Sequence, residues 1–308
     1  MQLQHLTYFV AVAETRHFTH AAELCRVAQP SLSKQIRALE HELGAPLFNR
    51  VRGDVTLTQA GETLLPLARR ILADVETARR QVQELTGLRR GRVRLGATPS
   101  LCAGLLADAI AVFRRRYPGI EIVVEESGSR DLVGDLTRGT LDLALIIAPV
   151  PGGDPALAAT PLLRESLVAV TPATTPPLTD AAALPITALR DRPIVMFRRG
   201  YDLREATTEA CRAAGFEPEF AVEGGEMDAV LRFVEAGLGP AVVPSIVLAG
   251  RPGLRGTPVE GLTRTIALAR RTDVEAPHAA RAFRAELTRF LSDAARRDLL
   301  PPGLDPLV

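Results

Sequence analysis

The sequence predicts a small helical N-terminal domain with a helix-turn-helix and a hairpin, a long connecting helix, and a larger C-terminal α/β domain. Three observations predict this order. Three short amphipathic stretches and a hairpin signal fill residues 1–58, a seven-residue apolar repeat fills residues 59–88, and apolar runs alternate with helical stretches from residue 91 onward. With 308 residues, 46% of them apolar, the chain is long enough for about two domains with packed cores.

Charge is distributed unevenly along the chain. Residues 1–94 hold 14 Lys and Arg against 9 Asp and Glu, a net charge of +5, whereas the remaining 214 residues hold 23 against 27, a net charge of −4. A basic end joined to a mildly acidic body indicates an anionic partner for the N-terminal part. The first residues do not resemble an export signal, and no apolar run is long enough to span a membrane, so we expect a cytoplasmic protein without a membrane partner.

The first three helices predict a helix-turn-helix. The second runs from about Thr19 to Cys25, and the third opens at about Gln29 with Pro30 in its first turn, where a missing N–H group costs nothing. The polar face of the third helix carries Gln29, Ser31, Ser33, Lys34, Gln35 and Arg37. These side chains suit the DNA major groove, because Gln can pair with adenine, Lys with guanine or phosphate, and Ser with either. A solvated face in an ordinary three-helix bundle is the alternative.

A hairpin after these helices favours the DNA-binding interpretation. Gly53-Asp54 lies between two short strand-like pieces within residues 49–58. A hairpin beside a recognition helix is typical of a wing, and Arg50 and Arg52 would then contact phosphates or a minor groove.

Four segments carry a more specific pattern: LTYFVAV at residues 6–12, FTHAAEL at 18–24, VAQPSLSKQIRALEHELGAPLFNR at 27–50, and LTQAG at 57–61. Together they resemble the N-terminal signature of the LysR-type bacterial transcriptional regulators. The resemblance implies an all-α winged helix-turn-helix domain, residues 1–58, that reads DNA as a dimer. It carries the base-contacting role to Gln29, Pro30, Ser31, Ser33 and Lys34, and the wing role to Arg50 and Arg52.

Two residues depart from the family pattern. Ala28 stands where the family usually has a capping Ser or Thr, and Lys34 stands where it often has Arg. Because Lys lacks the bidentate fork of Arg, a phosphate contact is expected at Lys34 rather than a guanine contact.

The segment from residue 59 to residue 88 predicts a long dimerisation helix. Its apolar seam consists of Leu64, Ala68, Ile71, Val75, Ala78, Val82 and Leu85, spaced alternately by four and three residues. Such a stripe must be buried, either against a second copy of the chain or against the chain's own body. The resemblance implies the first, a homodimer that assembles into a dimer of dimers, and the Gly-flanked Arg pair at 87–91 predicts a hinge.

Residues 91–300 predict an α/β domain with mostly parallel strands. Predicted strands fall at residues 93–96, 120–124, 141–147, 167–170, 194–197, 220–222, 241–243 and 265–269, and predicted helices at 101–116, 130–138, 204–214 and 227–236. The segments GATPS (96–100), FRRRYPGIEI (113–122), LTRGTLD (136–142) and VEAGLGPAVVP (234–244) resemble the effector domain of the same regulators. That resemblance implies a two-lobed, periplasmic-binding-protein-like fold, with lobe 1 at residues 91–161 and 265–300 and lobe 2 at residues 162–264.

Ligands of open parallel sheets bind beyond the carboxyl ends of the strands, and this places the candidate effector contacts. The residues at such ends are Thr98, Ser100, Leu101, Gly128, Ser129, Arg198, Arg199, Tyr201, Glu223 and Gly225. A helix N-terminus near Thr98 favours a carboxylate or another small polar metabolite. Glu223 and Glu226 would repel a purely anionic ligand, so if they face the cleft the ligand carries an amine or several hydroxyls. Helix caps and surface charges are the alternative.

The sequence contains none of the common catalytic motifs, and we expect neither catalytic residues nor a cofactor nor a metal site. We therefore interpret the chain as a transcriptional regulator that binds double-stranded promoter DNA, a small-molecule effector and its own copies, with RNA polymerase as a further possible contact. A redox-sensing regulator of the same architecture is the alternative, and Cys102 and Cys211 are its candidate residues.

Overall fold

The computed structural model of the protein describes residues 1–51, 54–84, 91–149 and 156–307. The chain divides into an N-terminal and a C-terminal compact unit, with the boundary between residues 86 and 87. Within the described ranges, no helix combines the length and the apolar character that crossing a membrane requires.

The N-terminal unit consists of four helices and one hairpin. They are α1 (Leu3–Thr15), α2 (Phe18–Leu24), α3 (Gln29–Leu43), β1 (Phe48–Val51), β2 (Asp54–Leu57) and α4 (Gln59–Glu84). Phe9, Leu32 and Ile36 are buried at the centre of its core, and the Phe9 ring lies 5.3 Å from the Phe48 ring of the hairpin. The predicted helix-turn-helix is thus present, with its hairpin packed on the same core.

Two residues attach the hairpin to α4. The Thr58 hydroxyl donates to the carbonyl of Pro46 at 2.6 Å and accepts the N–H of Gly61 at 3.1 Å, which caps the first turn of α4. An added Cβ at Gly61 would lie 2.2 Å from the carbonyl oxygen of Leu47. Glycine therefore allows the start of α4 to pass directly against the chain that leads into the hairpin.

The C-terminal unit is a mixed α/β structure. Its elements are β3 (Gly91–Ala97), α5 (Pro99–Leu101), a π-helical turn (Cys102–Leu106), α6 (Ala107–Arg116), β4 (Ile120–Glu126), α7 (Ser129–Thr137), β5 (Leu143–Ala148), β6 (Leu157–Pro172), β7 (Ile194–Met196), α8 (Asp202–Ala213), β8 (Phe220–Glu223), α9 (Met227–Glu235), β9 (Ala241–Pro244), β10 (Leu254–Arg271), α10 (His278–Arg296) and β11 (Leu304–Pro306). The main sheet has the order β11-β6-β10-β5-β3-β4, with β9 on β6, and β7 pairs separately with β8.

The expectation of mostly parallel strands is wrong. β3 pairs in parallel with β4 and β5, and β7 with β8, but β6 and β10 pair antiparallel with each other and with their other neighbours. β6 and β10 are long, with 16 and 18 residues, and each pairs antiparallel with more than one neighbour, so antiparallel pairing dominates the main sheet. β10 pairs β5 through residues 265–269 and β6 pairs β9 through residues 167–170, so the long strand pair joins β5 and β9 in one sheet.

Candidate functional site

The exposed face of α3 is narrower than the sequence predicts. Pro30, Ser31 and Lys34 are exposed, and Gln29 is half-buried. Ser33 is buried, and its hydroxyl accepts a hydrogen bond from the Gln29 amide at 2.9 Å. Ser33 is therefore not on the open part of this face. Arg37, which follows Lys34 by one helical turn and was predicted to lie on the polar face without a role, is exposed there.

Core packing positions this face. Leu32, Ile36 and Leu39 are fully buried and hold the opposite side of α3 in the N-terminal core. A hydrogen bond of 2.9 Å between His5 and Gln35 joins α1 to α3. Ala28 supplies no side-chain cap at the start of α3, because its methyl group cannot accept a hydrogen bond.

The hairpin has the predicted strands. β1 and β2 pair antiparallel at four positions, with Arg50 opposite Val55 in the ladder. The side chain of Arg50 and the whole of Arg52 lie outside the described residues, so their wing role stays a prediction.

Part of the predicted α4 seam is covered within the chain. Ala68 is fully buried in the N-terminal core, and Leu64 packs against the same core. Ile71, Ala78 and Val82 are exposed, and Val75 is half-buried. Leu85 lies outside the described residues. Leu67 was not predicted as part of the seam, but it is 53% exposed and precedes Ile71 by four residues.

The open apolar stripe of α4 therefore consists of Leu67, Ile71, Val75, Ala78 and Val82, and we call this set the α4 stripe.

A polar cleft lies at the carboxyl ends of β3, β4 and β7. Its cavity has a volume of about 320 Å³. It is lined by Thr98, Pro99, Ser100, Glu126, Ser127, Gly128, Asp131, Ile147, Arg198, Gly200, Tyr201, Asp202, Leu203, Glu226 and Arg264. The predicted residues Thr98, Ser100, Gly128, Arg198 and Tyr201 are among them.

The other five predicted contacts do not line this cavity. Leu101 is fully buried, and the Ser129 hydroxyl accepts the N–H of Ile147 at 3.0 Å. Glu223 forms ion pairs with Arg204 at 3.2 Å and with Arg199 at 3.5 Å. The Gly225 carbonyl accepts the N–H of Arg198 at 3.3 Å. Leu101 and Ser129 are thus buried away from the cavity, whereas Arg199 and Glu223 lie at the surface outside it.

A buried ion pair underlies one wall. Arg264 donates to Glu165 at 2.7 Å and to the Ser100 hydroxyl at 2.9 Å. Glu165 is 0% exposed, and its second oxygen accepts the N–H of Ile246 at 2.9 Å. Sequence reasoning missed both residues. The one signal was a lone arginine directly before the predicted strand at residues 265–269.

The opposite wall carries an aromatic residue and a second ion pair. The Tyr201 ring stacks on the Phe197 ring at 4.6 Å, and burial is the main cause that raises the pKa of Tyr201 above its usual range. Arg198 forms an ion pair with Glu226. The wall is therefore shaped by a neutral ring and a paired guanidinium.

Neither cysteine of the redox alternative has the environment of a reactive thiol. Burial, with a smaller contribution from Glu126, raises the pKa of Cys102 to about 12. Burial also raises the pKa of Cys211, which lies in α8. Because the thiolate is the reactive form, both residues are weak nucleophiles at neutral pH.

The helix-turn-helix with its hairpin and the α/β unit with its polar cleft define the class of protein. It is a DNA-binding transcriptional regulator with an effector-binding domain. Residues 3–62 match the family described as "Bacterial regulatory helix-turn-helix protein, lysR family", and residues 86–292 match the "LysR substrate binding domain". The chain belongs to the LysR family of bacterial transcriptional regulators, which confirms the resemblance seen in the sequence.

Individual relatives cover most of the chain. It is 31% identical over 249 residues to the transcriptional dual regulator GltC of Bacillus subtilis, an overlap of 81% of this chain and 82% of GltC. It is 33% identical over 306 residues to a probable hydrogen peroxide-inducible genes activator of Streptomyces viridosporus, covering 96% and 95% of the two chains. Among solved structures, a full-length OxyR variant of Pseudomonas aeruginosa matches with a TM-score of 0.72 and 27% identity, over 93% of this chain and 94% of that chain.

Proposed function

We propose that the open face of α3 reads promoter DNA in the major groove. The observation that carries this proposal is that Pro30, Ser31, Lys34 and Arg37 are exposed together while the rest of α3 is held in the core. Gln29 is half-buried at the start of the same helix, and this end of a recognition helix is where side chains contact base edges. Arg50 and Arg52 would add wing contacts to the DNA backbone.

We infer that two copies pair through the α4 stripe and present two recognition helices to a DNA site with two-fold symmetry. A dimer of dimers and a contact with RNA polymerase remain further proposals from the family resemblance. We propose that the protein acts in the cytoplasm, where promoter DNA and RNA polymerase are found in bacteria.

We propose that the cleft of the C-terminal unit binds a small polar effector, and that binding shifts the equilibrium between states with different DNA affinity. A cavity of about 320 Å³ lined by polar side chains from several elements supports this. The names of the peroxide-inducible relatives raise a redox response instead, but the raised pKa values of Cys102 and Cys211 count against it.

The experiment is a titration of the purified chain against its own upstream DNA with excess competitor DNA, repeated with Gln29→Ala and Lys34→Ala. We expect Gln29→Ala to reduce sequence preference and Lys34→Ala to weaken binding to all sequences, since a base contact specifies and a phosphate contact does not.

Arg284→Ala is the matched control. It removes one positive charge from the exposed side of α10 in the C-terminal unit, so it should bind DNA as the unaltered chain does. Equal loss in all three variants, or no loss in any, would contradict the proposed DNA interface.

A further inference from the structure

The cleft wall carries more acidic than basic groups. Glu126, Asp131, Asp202 and Glu226 line the cavity together with Arg198 and Arg264. Both guanidinium groups are already engaged, because Arg264 pairs with the buried Glu165 and Arg198 pairs with Glu226. Among the described residues, no cationic side chain forms an ion pair with the three remaining carboxylates.

These three carboxylates come from different elements. Glu126 ends β4, Asp131 lies in the first turn of α7, and Asp202 lies in the first turn of α8. The cavity therefore has unpaired negative charge both on the wall that follows β4 and on the wall that follows β7. A ligand with positive charge would relieve the repulsion between these walls, whereas an anion would add to it.

A buried hydroxyl points independently to a polar ligand in this cavity. Thr98 lines the cavity and is 5% exposed, yet its Oγ1 has no hydrogen-bond partner among the described residues. A buried polar atom without a partner destabilises the folded protein by the cost of its desolvation. A polar ligand in the cavity would satisfy this hydroxyl and remove the cost.

The placement of the acidic residues does not suit a metal ion. Within the described ranges, no three Asp, Glu, His or Cys side chains converge closely enough to hold a metal ion. Carboxylates that are spread around a cavity instead suit a cation that carries several N–H donors, such as an ammonium group on a short chain.

We propose that the cleft takes a small organic cation, a primary amine whose ammonium group faces Asp131 and Asp202 and whose body contacts Tyr201 and Thr98. The inference rests on the proposed function of the cleft as effector site, and it names the ligand's chemical class. The proposal predicts that a dicarboxylate without an amine binds poorly, since it would face unpaired carboxylates on both walls.

The test compares three four-carbon probes of matched length: putrescine, butanediol and succinate. Binding to the full chain is measured by calorimetry without DNA. Putrescine should bind at least about tenfold more tightly than butanediol, since hydrogen bonds to charged groups are the stronger kind. Succinate should not bind, and added salt should weaken the binding of putrescine.

Asp131→Asn and Asp202→Asn remove one charge each at constant shape, and each should weaken putrescine binding by about tenfold. Glu223→Gln is the matched control, because Glu223 does not line the cavity and is already paired with Arg204. Thermal melting of each variant establishes that it is folded.

Tighter binding of succinate than of putrescine, unchanged putrescine binding in both Asn variants, or no putrescine binding up to about 10 mM would each overturn the proposal. DNA affinity measured with the same probes separates the two inferences. Putrescine binding without any change in DNA affinity would leave the ligand class standing and remove the effector role. A DNA response to succinate alone, enhanced by Asp202→Asn, would leave the effector role standing and remove the ligand class.

Discussion

Gly61 lies so close to the carbonyl oxygen of Leu47 that no residue with a Cβ atom fits at this position without displacing the backbone. An added Cβ would lie 2.2 Å from that backbone oxygen, and neither the helix nor the chain before the hairpin has a flexible end that could move away. We predict that Gly61→Ala destabilises the N-terminal unit by about 3 kcal/mol or more, through forced displacement of packed backbone. Urea unfolding, followed by circular dichroism, measures this change in the free energy of unfolding.

Gly253→Ala is the control for Gly61→Ala. An added Cβ there would meet only the far end of the Glu235 side chain at 3.9 Å, so the unfolding midpoint should hardly move. An equal effect of the two substitutions would show that the contact with Leu47 is not the cause.

At the level of single residues, the sequence could predict those cleft positions that directly follow a strand, such as Thr98 and Gly128. It could not predict Glu165 and Arg264, because their importance comes from a pairing across two strands 99 residues apart. Ser33 is the opposite case, a residue that was predicted as a DNA contact but is buried in the structure. Its residue type suits DNA, but the nearby Gln29 amide and the helix packing bury its hydroxyl.

Helix α4 illustrates how an element can have two apolar faces. Its first turns bury Ala68 in the N-terminal core, while the α4 stripe stays open, with Val82 67% exposed. We predict that Val82→Glu converts the dimer to a monomer in sedimentation measurements, since each copy would bring a charge into the apolar contact. Binding to a symmetric DNA site should fall by at least about tenfold as the second recognition helix is lost.

Glu76→Gln is the control on the same helix. Glu76 is exposed and lies off the α4 stripe, so its substitution should leave the association state unchanged. Dimers that persist in Val82→Glu at low protein concentration would contradict the pairing through this stripe.

Elements with a clear period were predictable, and those with interruptions were not. α1 to α4 show a helical period, whereas β6 and β10 include Pro161, Gly256, Pro258 and Gly261, so only apolar runs toward their C-terminal ends were recognised. These interruptions are tolerated because the pairing shifts register between Pro258 and Thr263. α10 was missed, although it buries Phe283 against Phe113 with ring centroids 5.1 Å apart.

For the whole molecule, the uneven charge predicts how DNA binding responds to salt. Residues 1–94 carry a net charge of +5 and residues 95–308 a net charge of −4, so attraction to DNA comes from the N-terminal end. We predict that DNA affinity falls by at least about tenfold between 50 and 200 mM salt, through release of counterions. Lys34→Ala should lower the slope of log affinity against log salt by about 1. A slope that is unchanged in this variant would remove Lys34 from the phosphate contacts.

The paired strands β6 and β10 also have a mechanical consequence. Two long hydrogen-bonded strands bend more easily across their flat face than they rotate past each other, because rotation would break ladder hydrogen bonds. The β6–β10 ladder is interrupted between Pro258 and Thr263 and again between Ile266 and Ala267, where the register shifts. Next to the first interruption, Arg264 is bonded to Glu165 in the other strand and to Ser100 on the cleft wall. A molecule that displaced this wall would therefore act on the strand pair directly beside an interruption of its ladder.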